Sequence, residues 1–541
     1  MLFNKVEVAL IFATLTFWVL SLFSNIDLNK LSYNISIFQA MNPFFWIAIV
    51  FLVILLFYAV VKEEAQTLTI VILLTIILVS VPYLIGFGRS HDSYQQLGFA
   101  LYIKDTGHSV TGLSDISGWP GFHILSAIII LLTGVEPAFL VKLFPFVNLV
   151  MFSLGLFILT RILFRDSIKS LFAILFTLLA SNVFFFDYQM NWFTFSLIPL
   201  FISTLLVLGP KKNLLSIIIF FFMTISHSIN PIVCVFVLFA MSFFNFNLRK
   251  NRPVIYSCAL IYLGWTLYSG TYLITAVTTA INKTNLSQSA GILQATAQNV
   301  LIPQNIPQLF NRIVLAALLV TLFVILVRKN SRKIYMSLAF PVILIIALSY
   351  FFPLLTSGFT SLAFKFLPVA YLLGLPLVSS QLKDSLLGSW KPNRFLGCFN
   401  KRKIRKMFLF ICFCALLVGF TFSSYEKEKF YAVTATNLDS ANFVSTSFHQ
   451  DKINILWSGS LLELYYVMPT NMTNIEPVSS SEYNLGIQPD IAVVDYGWFD
   501  PVVASEHAIT SDDLLVLNHV INNFNLIYSD GGYSDIYSPV R

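Results

Sequence analysis

The stretch "HDSYQQLGFALYIKDTGH", residues 91–108, sets His91 beside Asp92 at the end of an apolar run, then Asp105 and His108 one amphipathic helix later. Carboxylates and imidazoles are the side chains that take up and release protons near neutral pH. The same residues also have a structural reading. Asp92 followed three residues on by Gln95 fits a capping box, and a carboxylate is favoured at a helix N-terminus by the helix dipole. Further groups of this kind are Trp119 and His123 in "GWPGFHIL", His227 in "SHSINP", Asp187 in "FFFDYQMNW" and Lys365 in "SGFTSLAFKFLPVAYLLG". Lys365 sits about five residues into an apolar run, where an ionisable group costs about 2.5–3.5 kcal/mol at a helix centre and faces a cavity or partner unless it snorkels.

The elements that must position these groups are membrane spans. The chain has 541 residues, 57% of them hydrophobic, 16% aromatic and 11% charged, and its mean hydropathy is +0.79. Apolar runs repeatedly reach the roughly 20 residues that cross a hydrocarbon core of about 30 Å, and backbone polar groups in lipid require them to be helices. The first three are Val6–Phe23, Pro43–Val61 and Thr67–Ile85. The first has no small-residue cleavage site and is expected to be a retained span.

Lys and Arg collect in "RILFRDSIK" (161–169), Lys211–Lys212, "LRKNR" (248–252), "RKNSRK" (328–333) and "NRFLGCFNKRKIRK" (393–406). Placing these loops in the cytoplasm gives about thirteen spans, the N-terminus inside, and residues 86–136 and everything after Met407–Ser423 outside. Parity then prevents Phe122–Gly134 from being a full crossing. With Asp92–Thr106, it is expected to form two membrane-hugging helices in the outer loop. Tyr94, Leu97, Leu101 and Tyr102 share one face of the first, with Gln95, Gln96 and Lys104 elsewhere.

Domain organisation follows: residues 1–423 a multi-span membrane domain, residues 424–541 a small soluble extracytoplasmic α/β domain. In the tail "KINILW", "DIAVVDY" and "NLIYS" read as strands, "SDDLLVLNHVINNF" (511–524) as a helix, and Gly531–Gly532 as a hairpin turn. Asp495–Gly497 echoes part of an oligosaccharyltransferase motif but extends a strand and lacks two preceding tryptophans. The sequons at Asn34, Asn282, Asn285 and Asn471 fall on the outer side. The net charge of +7 reflects cytoplasmic loops against anionic lipid, with no case for nucleic acid. The five cysteines read as packing residues.

In layout and in short motifs the chain resembles the GT-C superfamily of integral membrane glycosyltransferases, in particular the dolichyl-phosphate-mannose mannosyltransferase and RgtA/B/C/D-like group of archaeal type. "HDSYQQLGFALYIKDTGH" looks like that group's acid-Tyr-x-helix-Thr-Gly-His stretch, "WPGFHIL" like its second outer motif, "SHSINP" like its later His-containing helix end, and "NLIYSDGGYSDIY" like its common C-terminal ending.

The resemblance implies transfer of a sugar from a polyprenyl- or dolichyl-phosphate-linked donor to a glycan, protein or lipid acceptor on the outer face. Asp92 then matches the general base, with Asp27 a rival. His91, His227 and Lys365 become candidates for the donor phosphate or the acceptor, and His108, Trp119 and His123 for shaping the loop or contacting sugar. The family often carries Arg near Lys365. Asp187 could join Asp92 around Mg or Mn. The alternatives are a lipid-linked glycan transporter or flippase, which would line its spans with charge, and a non-catalytic scaffold of surface-glycan assembly.

Overall fold

The computed structural model describes residues 5–23, 42–62, 91–109, 119–179, 193–208, 213–269, 306–327, 333–355, 360–388, 407, 410, 411, 414, 435–447 and five strands. In chain order the helices are α1 Lys5–Leu22, α2 Pro43–Lys62, α3 His91–Thr106, α4 Gly121–Thr133, α5 Pro137–Phe164, α6 Ser167–Leu179, α7 Phe193–Ser196 and α8 Ile198–Val207. They continue with α9 Leu214–Ser226, α10 Asn230–Ser242, α11 Phe246–Lys250, α12 Arg252–Ser269, α13 Ile306–Val327, α14 Lys333–Leu355, α15 Thr360–Gly388 and α16 Ala435–Ser447. Among the described residues, α1 and α5 are each long and apolar enough to cross a membrane unaided.

Most of the long helices are apolar on both sides. Phe172, Phe195, Phe201, Phe220, Leu338 and Leu372 lie in one continuous core. Phe12, Leu214, Leu260 and Phe323 project outward from their helices, and Leu132 is 81% exposed. An outer surface this rich in large apolar side chains suits hydrocarbon and would be unstable in water, so the protein is a membrane protein.

Polar groups inside the bundle bond locally or across helices. Lys169 Nζ on α6 donates to Ser380 Oγ on α15 at 2.8 Å, and Tyr335 OH on α14 lies 3.0 Å from that hydroxyl. Asp166 Oδ1 accepts the Ile168 and Lys169 amides at 2.9 and 3.2 Å, capping α6. Where Pro145 interrupts α5, and Pro368 and Pro376 interrupt α15, a helix bond is lost; packing on both sides holds these helices.

The two helices expected in the outer loop, α3 and α4, come next. α3 is not a surface rod: Tyr94, Leu97 and Leu101 pack with Phe122 and Ile130 of α4 and with Leu140, Val141 and Phe144 of α5 in a second core. The expectation that Gln96 belongs to the polar side is corrected here, because Gln96 is only 2% exposed. α4 has 13 residues, about 20 Å at 1.5 Å per residue, against a core of about 30 Å. Gly134, at φ 64°, stops it, with its N–H bonded to Ile130 C=O at 2.9 Å.

The tail strands β1 Ile453–Leu456, β2 Ile475–Val478, β3 Ile491–Asp495, β4 Phe524–Ser529 and β5 Ser534–Pro539 form one sheet in the order β2-β1-β3-β5-β4. β1 is parallel to β2 and β3, while β5 is antiparallel to β3 and β4. Asp495 is a strand residue paired with Ser534. The span at 67–85, Asp27, the sequons, the helix expected at 511–524 and the turn at 531–532 lie outside the described residues.

Candidate active site

Three separated stretches meet around the first turn of α4. On one side His123 Nε2 is hydrogen-bonded to Gln96 Oε1 of α3. His123 is 3% exposed and tilted against the Phe99 ring, with centroids 5.3 Å apart. Burial pushes its imidazole down to about 3, so the ring is neutral, and with Oε1 as acceptor its proton sits on Nε2. The other end of the amide, Gln96 Nε2, is buried with no partner among the described residues.

On the other side α4 meets α9 at Gly121. A Cβ on Gly121 would stand 2.5 Å from Ser226 Oγ and 2.6 Å from Ile225 Cγ1. Only glycine allows this approach. "WPGFH" and "SHSINP" are thereby brought together, about a hundred residues apart in sequence. An aromatic chain backs the contact: Phe122 to Phe144 at 4.8 Å, Phe144 to Phe193 at 5.8 Å, Phe193 to Phe222 at 6.0 Å.

His227 forms the corner between α9 and α10. It is the extended C-cap of α9 (φ −155°, ψ 136°), and its Nδ1 accepts the amides of Ile229 and Asn230 at 3.1 and 3.2 Å. The imidazole therefore serves as the N-terminal cap of α10, and its proton sits on Nε2. Tyr262 OH braces the corner by donating to Ser228 C=O at 2.6 Å, and Asn230 Nδ2 donates to Thr194 Oγ1 at 3.2 Å.

The remaining candidates are placed unevenly. His91 and Asp92 begin α3, with Asp92 one turn before Gln96; their side chains lie outside the described ones. His108 is exposed at the opposite end, about 24 Å away along 16 residues. The Thr-Gly-His end of the motif is a helix stop. Gly107 (φ 74°) donates to Ile103 C=O at 2.9 Å, and Thr106 Oγ1 accepts the His108 amide at 3.2 Å.

Trp119 is 3% exposed, so its face is covered where stacking on a sugar would need it open, and its Nε1 has no partner among the described residues. Lys365 falls in the first two turns of α15 with its side chain outside the described ones, as is all of Asp187. Among the described residues no group of three or more His, Cys, Asp or Glu could hold a metal ion. Gln96, Gly121 and Ser226 join the candidate site through these contacts and were not singled out by the sequence. The available signals were a glutamine four residues after Asp92 and a glycine between two motif residues.

No protein-family model matches the chain, and no curated protein matches it. Solved structures do. ArnT from Cupriavidus metallidurans in the apo state aligns over 88% of this chain and 99% of its own at 12% identity, with a TM-score of 0.49. The same protein bound to undecaprenyl phosphate aligns over 87% and 97% at 12% identity, with a TM-score of 0.46. The Archaeoglobus fulgidus oligosaccharyltransferase in complex with Zn and sulfate aligns over 86% and 73% at 12% identity, with a TM-score of 0.45. At this identity and these scores no residue role passes from them to this chain.

Proposed function

We propose that the chain is a GT-C-type membrane glycosyltransferase that moves a sugar from a polyprenyl-phosphate-linked donor to an acceptor on the outer face. One observation carries the reading. The motifs that resemble the family, "HDSYQQ", "WPGFH" and "SHSINP", meet around one helix turn through the Gln96–His123 bond and the Gly121–Ser226 contact. Buried polar contacts of this kind are costly to assemble in an apolar chain without a use.

In the proposed reaction the acceptor hydroxyl oxygen attacks the anomeric carbon and its proton passes to the Asp92 carboxylate. The anomeric carbon–oxygen bond breaks, and its electron pair leaves on the lipid phosphate. Asp92 falls in the first turn of α3, where the helix dipole favours a negative charge. His91, His227 through Nε2 and Lys365 are assigned to the phosphate or acceptor, and Asp187 with Asp92 to any Mg or Mn. In this reading about thirteen spans carry the site at the outer surface, and residues 424–541, whose five strands form one sheet, make a small soluble extracytoplasmic α/β domain.

The test is mass spectrometry of lipid-linked and surface glycans in cells lacking the protein, complemented by wild type or by Asp92→Asn at matched abundance. The reading expects deletion to shorten a glycan by one sugar and Asp92→Asn to fail to restore it. Full restoration by Asp92→Asn would move the base to Asp27 or Asp187. Unchanged glycans on deletion would overturn glycosyl transfer in those cells and return the reading to a transporter.

A further inference from the structure

The first turn of α4 carries donors that no helix bond uses. Its first intrahelical bond is Ile124 N–H to Pro120 C=O at 2.8 Å, and Pro120, the N-cap residue, makes no side-chain cap. The amides of Gly121, Phe122 and His123 therefore have no partner within the helix and point past its end, where the dipole favours negative charge.

A second, independent observation falls at the same end. Ser226 Oγ and Trp119 Nε1 are buried with no partner among the described residues, and their residues are only 9% and 3% exposed. Ser226 Oγ lies directly against Gly121, 2.5 Å from where a Cβ would stand, and Trp119 immediately precedes the N-cap. A buried polar atom without a partner calls for an explanation; of those among the described residues, Ser226 Oγ is set against the first turn of α4 by the Gly121 contact, and Trp119 is the residue before its N-cap.

The chemistry of the missing partner can be read from what is offered. An indole N–H and backbone amides only donate, and a hydroxyl has one proton to give. A sugar hydroxyl would bring its own proton and need an acceptor, and among these groups Ser226 Oγ alone could supply one. A phosphodiester oxygen only accepts and carries the charge that a helix N-terminus favours. We propose that the first turn of α4, with Ser226 Oγ and Trp119 Nε1, is an oxyanion cradle for the phosphate of a polyprenyl-phosphate lipid. The lipid's identity, though not the cradle, rests on the transferase reading. The two side-chain donors are covered, so loading requires their cover to part.

The experiment is equilibrium binding to the full-length protein in detergent, with three probes: a short polyprenyl phosphate, the polyprenyl alcohol of equal length, and inorganic phosphate as competitor. The phosphate lipid should bind at least tenfold more tightly than the alcohol. Ser226→Ala and Trp119→Phe should each weaken it about tenfold, a change of about 1.4 kcal/mol, with alcohol binding unchanged. Competition by inorganic phosphate, weakened in the same variants, would support recognition of phosphate as such; no competition would support a cradle that needs the lipid.

Equal binding of alcohol and phosphate, or unchanged phosphate affinity in a folded Ser226→Ala protein, would overturn the proposal. Ser226→Ala decides alone if Trp119→Phe does not fold. Asp92→Asn separates the two readings, since it should lose transfer while keeping the lipid phosphate. Cells whose glycans never depend on the protein would sink the transferase and leave the cradle to the binding result.

Discussion

Gly121→Ala probes the contact on which the site depends. The new methyl would stand 2.5 Å from Ser226 Oγ, 2.6 Å from Ile225 Cγ1 and 3.0 Å from Ile225 Cδ1, whereas carbon contacts are optimal at about 3.5–4.0 Å. α4 and α9 must part by roughly 1 Å, or Ile225 must leave its rotamer. Overpacking of this kind costs about 1–3 kcal/mol. Alanine returns at most about 1 kcal/mol of helix propensity, and less in a first turn. A net loss of about 1–2 kcal/mol is expected.

The assay is denaturant unfolding of the purified full chain in mixed detergent micelles, run where refolding is reversible, because a free-energy difference needs an equilibrium. Ile225→Ala removes Cγ1 and Cδ1, so the double variant should recover part of the loss, with a coupling of at least about 0.5 kcal/mol. A Gly121→Ala protein as stable as wild type, or strict additivity with Ile225→Ala, would refute the close approach of these helices.

Three further outcomes are expected. His123 is lowered in the folded chain from 6.5 to about 3, so between those values the unfolded chain binds the extra proton and stability rises with pH. The stability is fully present above pH 6.5 and drains as pH falls, at up to about 1.4 kcal/mol per pH unit; the difference between wild type and His123→Leu measured from pH 4.5 to 7.5 should carry this slope, and a flat difference would contradict it. His227→Ala should lose the α10 cap, at about 1 kcal/mol, read in the same unfolding assay. His227→Asn keeps a capping oxygen but no Nε2, so wild-type stability with lost sugar transfer would assign function to Nε2, whereas wild-type transfer would leave His227 a cap alone.

Much of the local architecture was legible because it depends on residues near in sequence. The 16-residue α3 and the 13-residue α4 match the periodicity and stop signals at Gly107 and Gly134. The corner at "SHSINP" is where α9 ends and α10 begins. β1, β3 and β4 fall on the apolar runs read as strands, while β2, "IEPV", carries a glutamate and a proline and shows no strand pattern. β5, "SDIYSP", is polar, and it is the return strand that a hairpin turn at Gly531–Gly532 calls for; it pairs antiparallel with β4 and β3.

The membrane class of this protein, its helical elements and the turns that end them are set by composition and by short-range rules, since backbone satisfaction in lipid and glycine at positive φ act within a few residues. The tertiary structure alone decided which motifs meet. Gln96, given to a polar face by spacing, became the buried partner of His123, and Gly121 became the point of contact between α4 and α9. It also separated His108 from Asp92, covered the face of Trp119, and gave the His227 imidazole to a helix N-terminus. Each of these outcomes turns on contacts across space or on the path of the backbone at a helix end, and hydrophobic period, which reports only which side of a helix faces an apolar neighbour, is blind to which neighbour that is.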